Sequence, residues 1–429
     1  MLKKYGKIIL GDYMKKKALV TGFYGLIIGL MAGLICSAYR YSLTLLGKLR
    51  VNLFAGKDFK FYFIFLIVSL ILGYIVGLLL EYEPLSSGSG IPQIQLEIES
   101  KVSMNPLKVI FAKFIGGSLG SFIGYSLGME GPCIQLGGSC GKLVSDKTKR
   151  DTETKIFVAA GAGAGIAAAF NAPLSGALFA IEEMYKRITQ RLLVIMLIAC
   201  VVADFVSKQV FGYNNSFSQI SDIKFDGKSL ILFIILGILT GFIGVLFNSN
   251  LMFNLKMFSK IKLKKRFKPM FASVFAFILF VFMPNLLGGG HYVIEGLLDS
   301  DYSLGILLTM LILKLIFTCF CYGTGAQGGI FLPILVLGAL TGSIFSKILG
   351  PYFPNLASAF IVLGMTGILA SVVRAPILAV ILVFEMTGGA MSLLPLVIVS
   401  SISLIVAEFL ESDPVYHSLK NWTSKSLNL

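Results

Sequence analysis

LILFIILGILTGFIGVLF, Leu230–Phe247, carries no charged side chain, and Thr240 is its only polar one. A helix needs about 20 such residues to cross the hydrocarbon core of a bilayer. Backbone facing lipid must satisfy its own hydrogen bonds, which leaves only helices and closed barrels. Barrel strands are shorter and alternate in polarity, so the stretch predicts a membrane-spanning helix. Ala18–Cys36, Phe61–Leu80, Leu192–Val206, Leu304–Phe320 and Leu393–Val406 read the same way. Other apolar runs are interrupted by Gly and Pro. The hydropathy pattern predicts roughly ten to twelve spans, some of them incomplete.

Composition agrees. The 429 residues are 56% hydrophobic and 14% charged, with a mean hydropathy of +0.85. Soluble domains are about a quarter charged, so this chain could not cover a water-facing surface of its size. The fold class is an all-α polytopic membrane protein. The net charge of +15 does not indicate nucleic acid, because the cations gather in short loops between apolar runs. They are Lys3, Lys4, Lys7 and Lys15–Lys17, then Lys147, Lys149 and Arg150, then Lys186, Arg187 and Arg191, and finally Lys262–Lys268. That distribution marks cytoplasmic loops and predicts a cytoplasmic N-terminus in the plasma or inner membrane. The first apolar run is too long for a signal-peptide core and reads as a retained helix. The cysteines Cys36, Cys133, Cys140, Cys200, Cys319 and Cys321 lie mostly in apolar runs without metal-ligand spacing, and read as small buried hydrophobes.

The chain contains a weak internal repeat. Gly161, Ala172-Pro173 and Glu182 align with Gly364, Ala375-Pro376 and Glu385 at an offset of 203. Gly128-Met129-Glu130-Gly131-Pro132 aligns with Gly329-Ile330-Phe331-Leu332-Pro333 at 201, as does Gly137 with Gly338. Basic residues follow Glu183 but not Glu385, so the copies end on opposite faces. The pattern is an inverted repeat, 1–226 and 227–429, within one transmembrane domain. Such repeats place their site near the midplane, where broken helices meet. Gly116, Gly120, Gly124 and Gly128 recur every four residues and read as one smooth helical stripe for close packing.

Four segments break membrane helices beside a polar group. In Gly88-Ser89-Gly90-Ile91-Pro92, the glycines free the backbone and Pro92 suits the first turn of a helix. Ser89 then offers a free hydroxyl at a helix N-terminus, which attracts anions. In the second, Glu130 is a carboxylate at a helix start deep in apolar sequence. Buried acids in membranes are functional by default, and this one could occupy an anion site itself. In Gly329–Pro333, the amides of Ile330 and Phe331 could point at a ligand without a fixed cation to trap it. In the fourth, Asn171 to Glu183, two adjacent acids end an apolar helix, one free to face the interior and one to meet the basic loop. Each segment also has a plain reading as a helix cap, a glycine-rich turn or a solvated helix end.

Together these motifs resemble the CLC family of chloride channels and chloride–proton antiporters, in its prokaryotic form without a C-terminal soluble domain. GSGIP, GMEGP, GGIFLP, FNAPLSGALFAIEE at Phe170–Glu183, and Pro414-Val415-Tyr416 occur in the family's order. The resemblance implies a homodimer with one anion pathway per subunit. It implies anion ligands from the hydroxyls of Ser89 and Tyr416 and the amides of Ile330 and Phe331. Glu130 matches the gating glutamate, and Glu183 the inner proton-transfer acid of antiporters. Gly88, Gly90, Pro92, Gly128, Gly131, Pro132, Gly329 and Pro333 match supporting positions. Lys113 matches a position that could lend positive potential, although Lys near a membrane end more often reaches for water.

Two positions depart from the family pattern. Met129 stands where Arg or Lys is common, and Gln93 where an acid is common. The expected function is chloride/proton antiport, with chloride and protons as transported ions and no cofactor or metal. A passive voltage- or pH-gated chloride channel of the same fold is the alternative. A fluoride exporter fits less well, because Ser89 is not Met. An enzyme is not expected: both histidines lie at span ends, and Gly141-Lys142 lacks the rest of a phosphate-binding loop.

Overall fold

A computed structural model describes residues 2–54, 56, 58–186, 189–213, 216–217, 227, 229–349 and 352–427, leaving aside the side chains of 2–18, 59, 190, 191 and 354. Eight helices among the described residues are long and apolar enough to cross a membrane. Three shorter apolar helices, Ala357–Val373, Pro376–Met386 and Leu393–Phe409, accompany them. The opening stretch lies in α9 (Ser229–Lys260). At 1.5 Å per residue this helix is about 48 Å long, so it must tilt in a core of about 30 Å. One face of it, Gly237, Gly241, Gly244 and Asn248, is buried. Ile231 and Phe242 on its other side are open to lipid.

The elements repeat in order. The first series is α1 (Leu2–Phe54), α2 (Phe59–Tyr82), the short α3 (Ile91–Ile98), α4 (Pro106–Ile123), α5 (Glu130–Thr148), α6 (Thr154–Phe170), the short α7 (Pro173–Phe179) and α8 (Gln190–Phe211). The second is α9, α10 (Lys268–Phe282), the short α11 (His291–Asp299), α12 (Leu304–Gly323), α13 (Phe331–Leu349), α14 (Ala357–Val373), α15 (Pro376–Met386) and α16 (Leu393–Phe409). An added helix, α17 (Val415–Ser426), follows. Gly128 donates to the Gly329 carbonyl at 2.6 Å, and Gly329 donates back at 2.8 Å. A reciprocal bond between repeat-equivalent residues is what a two-fold relation produces. The relation extends outward. Gly88 donates to Gly325 at 3.2 Å, and Gly288 to Gly124 at 3.0 Å. Lys113 Nζ donates to the Gly88 carbonyl at 2.7 Å, and Lys314 Nζ to the Gly288 carbonyl at 2.7 Å. Gly137 packs on Gly161 where α5 crosses α6, and Gly338 on Gly364 where α13 crosses α14. The fold is therefore all-α, with an inverted internal repeat and broken helices at its centre.

Two sequence expectations need correcting. The glycine stripe is not one helix face: α4 ends at Gly124, whose φ is +95°, and Gly128 sits beyond it in the reciprocal bond. Lys113 does not reach for water. It is fully buried, where its ammonium meets the Gly88 carbonyl of the loop before α3, which also accepts from the Gly328 amide at 3.0 Å. The six cysteines are buried and unpaired, as read. Arg187 and the side chains of Arg191, Lys3, Lys4, Lys7 and Lys15–Lys17 lie outside the described residues, as does residue 226 at the division between the halves.

Candidate functional site

Three helices begin around the reciprocal glycine bond. Gly90 caps α3 with φ +86°, a left-handed conformation that side chains disfavour. It turns the chain so that Ser89 faces the centre. Gly131, in the first turn of α5, lies where a β-carbon would come within 2.7 Å of Ser89 Cβ and 3.0 Å of Gly329 Cα. Only a residue without a side chain lets the starts of α3, α5 and α13 converge. Pro92, Pro132 and Pro333 each fall within the first three residues of their helix, where the missing N–H removes no helical bond.

Glu130 opens α5 and is fully buried. Its Oε2 accepts from the Leu332 amide at 3.4 Å, in the first turn of α13. Its Oε1 is buried without a partner. The acid of one half thus lies on the helix N-terminus of the other, where amides and the helix dipole favour negative charge. Ile330 and Phe331, expected as the amide donors, stand at the same turn. The amide actually bonded to the carboxylate is that of Leu332.

Ser89 is fully buried, but its hydroxyl is not free as the sequence reading had it. Its Oγ lies 3.2 Å from the Tyr322 hydroxyl, and the Ile91 amide donates to it at 3.4 Å. The Ser89 amide donates to the Tyr322 hydroxyl at 3.4 Å. Tyr322 was missed by the sequence reading. Its one signal was a lone phenol in the last turn of an apolar helix, just before Gly323-Thr324-Gly325. Tyr416, on α17, is fully buried with its hydroxyl unpartnered. Its ring meets Phe179 edge-on, with centroids 6.5 Å apart.

Glu183 stands apart from this cluster, on a π-helical turn, Ala180–Tyr185, that continues α7. Such widened turns recur at functional sites. Gln95 Nε2 donates to its backbone carbonyl at 3.1 Å. Neither Glu182 nor Glu183 forms a salt bridge with Lys186 among the described residues, so the reading of two solvated, paired acids does not hold for that partner. Glu182 instead lies within electrostatic reach of the Leu378 amide at the start of α15. In mirror fashion, Glu385 accepts from the Leu174 amide at 3.1 Å and the Ser175 amide at 2.8 Å at the start of α7.

Two cavities approach this centre. One of about 680 Å³ reaches Glu130 and Gly128, and Met129, Arg40 and His291 also line it. The other, of about 220 Å³, reaches Gly88, Tyr322 and Gly325, with Lys265 and Lys268 on its wall. They share no lining residue: Glu130 lines the first and Tyr322 the second, and Ser89 lines neither.

Residues 72–408 match the family described as voltage gated chloride channel. The H(+)/Cl(-) exchange transporter ClcA of Vibrio cholerae is 33% identical over 452 residues, covering 100% of this chain and 95% of the relative. The protein of the same name from Klebsiella pneumoniae is 33% identical over 425 residues, covering 94% and 89%. Among solved structures, a slow cyanobacterial Cl-/H+ antiporter superposes with a TM-score of 0.90 at 30% identity, covering 95% of this chain and 99% of that one. A eukaryotic CLC transporter shares the fold, with a TM-score of 0.80 at 21% identity, covering 94% and 74%. The family match over most of the chain, the relatives' full-length coverage and the broken-helix centre agree: this chain is an integral membrane protein of the voltage gated chloride channel (CLC) family.

Proposed function

We propose that this protein exchanges chloride for protons across its membrane, with Glu130 as the gate that both ions share. The observation that carries the reading is the Glu130 carboxylate itself: fully buried, one oxygen on the Leu332 amide, the other without a partner. It holds the place at the α13 N-terminus that a small anion would take. A chloride ion and this carboxylate compete for the same amides, so the anion enters as the acid leaves. An acid that leaves a helix N-terminus for the adjoining cavity loses the groups that stabilised its charge, which links its departure to proton uptake. The relatives named as H(+)/Cl(-) exchange transporters support the same activity.

In this reading, the Ser89 and Tyr416 hydroxyls and the amides of Ile330 and Phe331 hold the central chloride. Lys113 is a supporting residue, because it fixes the Gly88 carbonyl. Glu183 passes protons between Glu130 and the cytoplasm. The halves 1–226 and 227–429 are oppositely oriented repeats, the N-terminus is cytoplasmic, and the cavity at Glu130 faces outward. The protein works as a homodimer with one pathway per subunit.

The test is reconstitution in liposomes with an imposed chloride gradient. Uphill proton movement is expected, lost in Glu130→Gln and in Glu183→Gln, with chloride flux persisting in the latter. Chloride flux without proton movement in the unaltered protein would make it a passive channel of the same fold.

A further inference from the structure

The outward cavity lacks the cation that position 129 commonly supplies, since Met129 is apolar. Anions nevertheless have to collect against Glu130, itself an acid. We infer that Arg40, from α1, is the displaced cation that concentrates small monovalent anions in this vestibule, forming a waiting site on the outer side of the gate. The inference rests on the chloride-transport reading above.

Arg40 and Glu130 line the same cavity. The guanidinium donates to Asn171 Oδ1 at 3.2 Å and lies 4.2 Å over the Phe211 ring. Both partners are uncharged, so the interactions hold the group in place without neutralising it. The other cations lining the cavity are differently placed. Arg50 is buried and donates to the Ser121 and Phe122 carbonyls at the end of α4. His291 faces Glu295 at 3.3 Å, so any charge it gains is offset. Lys48 is exposed, and its strongly hydrated ammonium is screened by solvent. Among the described cavity residues, Arg40 therefore combines a fixed position with uncharged bonding partners, Glu130 being the acid that its charge faces. Guanidinium has five donors, and one bond to Asn171 leaves others to face an anion. A cation at a cleft with low-dielectric walls raises the local anion concentration.

Chloride flux is to be measured against chloride concentration at fixed ionic strength in proteoliposomes, for Arg40→Gln, Arg40→Lys, Met129→Arg and the Arg40→Gln/Met129→Arg double variant. Arg40→Gln is expected to raise the half-saturating chloride on the order of 3- to 10-fold. The gap should shrink as ionic strength approaches about 1 M, where the Debye length is about 3 Å. Arg40→Lys should retain most of the affinity, and Met129→Arg should restore it in the double variant. Met129→Arg alone leaves the Asn171 and Phe211 interactions intact and should lower the half-saturating value. An unchanged value in Arg40→Gln, or a loss that Met129→Arg does not repair, would overturn the inference by making Arg40 a packing residue. So would an unchanged value in Met129→Arg, should Arg40→Gln fail to fold. If the unaltered protein moves no chloride, the functional reading falls and takes this inference with it. A chloride-transporting protein indifferent to Arg40 refutes this inference alone.

Discussion

Replacing Gly90 by alanine tests whether the geometry around Ser89 is set by the absence of one methyl group. Two terms add. The φ of +86° costs an L-residue about 1–2 kcal/mol. The new β-carbon would also lie 2.5 Å from Gln135 Cβ and 2.6 Å from its Cδ, and overpacking of this kind costs about 1–3 kcal/mol. Gln135 cannot move aside freely, because its Nε2 donates to the Leu85 carbonyl at 2.7 Å. Breaking that bond adds about 0.5–1.5 kcal/mol. The total is roughly 2.5–6.5 kcal/mol by the same magnitudes. Gly212 separates the terms: its φ is +87°, yet a β-carbon there meets nothing within 4 Å. Gly212→Ala should therefore lose only a backbone term, about 1–3 kcal/mol for its extended ψ of 173° against the −12° of Gly90. Thermal unfolding of the purified protein in detergent, followed by the monodisperse fraction after heating, should rank Gly212→Ala well above Gly90→Ala. Gln135→Ala introduced beside Gly90→Ala should recover part of the difference, since the two side chains interact directly. Equal stability of Gly90→Ala and Gly212→Ala would refute the steric argument.

Tyr322→Phe removes the acceptor of the Ser89 amide and the partner of its hydroxyl. It should cost about 1 kcal/mol of stability and change the ratio of chloride to nitrate flux. An unchanged ratio would make Tyr322 a packing residue. Lys142→Met leaves Glu97, whose side chain is 4% exposed and 2.5 Å from the ammonium, as an uncompensated buried charge. A loss of about 3–5 kcal/mol is expected, largely recovered by adding Glu97→Gln, as read by thermal unfolding. Gly161→Ala puts a β-carbon on the Gly137 carbonyl oxygen, backbone against backbone. It should cost at least about 3 kcal/mol and prevent accumulation in the membrane, whereas Gly305→Ala, with open space around it, should accumulate normally.

The long helices were legible because an unbroken apolar run announces its own length, as Leu230–Phe247 does within α9. The centre was legible where a break and a polar group coincide. Ser89 between two glycines and Glu130 beside Gly131-Pro132 are unusual in any membrane segment. Tyr322 was not legible, because it closes an unbroken helix and its partner lies 233 residues away. Arg40 was hidden in the same way. It follows an apolar stretch of α1, where a cation ordinarily marks a helix end, and only the packing of α1 against the centre gives it a cavity to face. Lys113 was misread for want of its acceptor: a buried ammonium needs a hydrogen-bond partner, and the carbonyl of Gly88 comes from another element. The glycine stripe shows the limit of spacing alone, since a period of four says nothing of the left-handed turn at Gly124 that ends the helix.

The scaffold is close to two-fold, but its chemistry is not. At the outer shell, both copies do the same thing. Glu182 and Glu385 each face amides at the start of the other half's short helix, and Lys113 and Lys314 each hold a loop carbonyl. At the centre the copies diverge. The matching bonds of Gly88 and Gly288 set Ser89 against Gly289, and the offsets of 201 and 203 set Glu130 against Phe331 and Glu183 against Met386. The first half thus brings the carboxylates and the serine hydroxyl, and the second brings bare amides and the phenols of Tyr322 and Tyr416. Full symmetry would be self-defeating. A second acid at 331, across the reciprocal Gly128–Gly329 bond, would face Glu130 in a dry environment where two like charges repel strongly. It would also cover the amides of α13 that Glu130 now occupies. In the proposed exchange, one acid opposite one uncharged helix N-terminus lets an anion and a carboxylate take turns at the same place, and the inverted repeat supplies both halves of it.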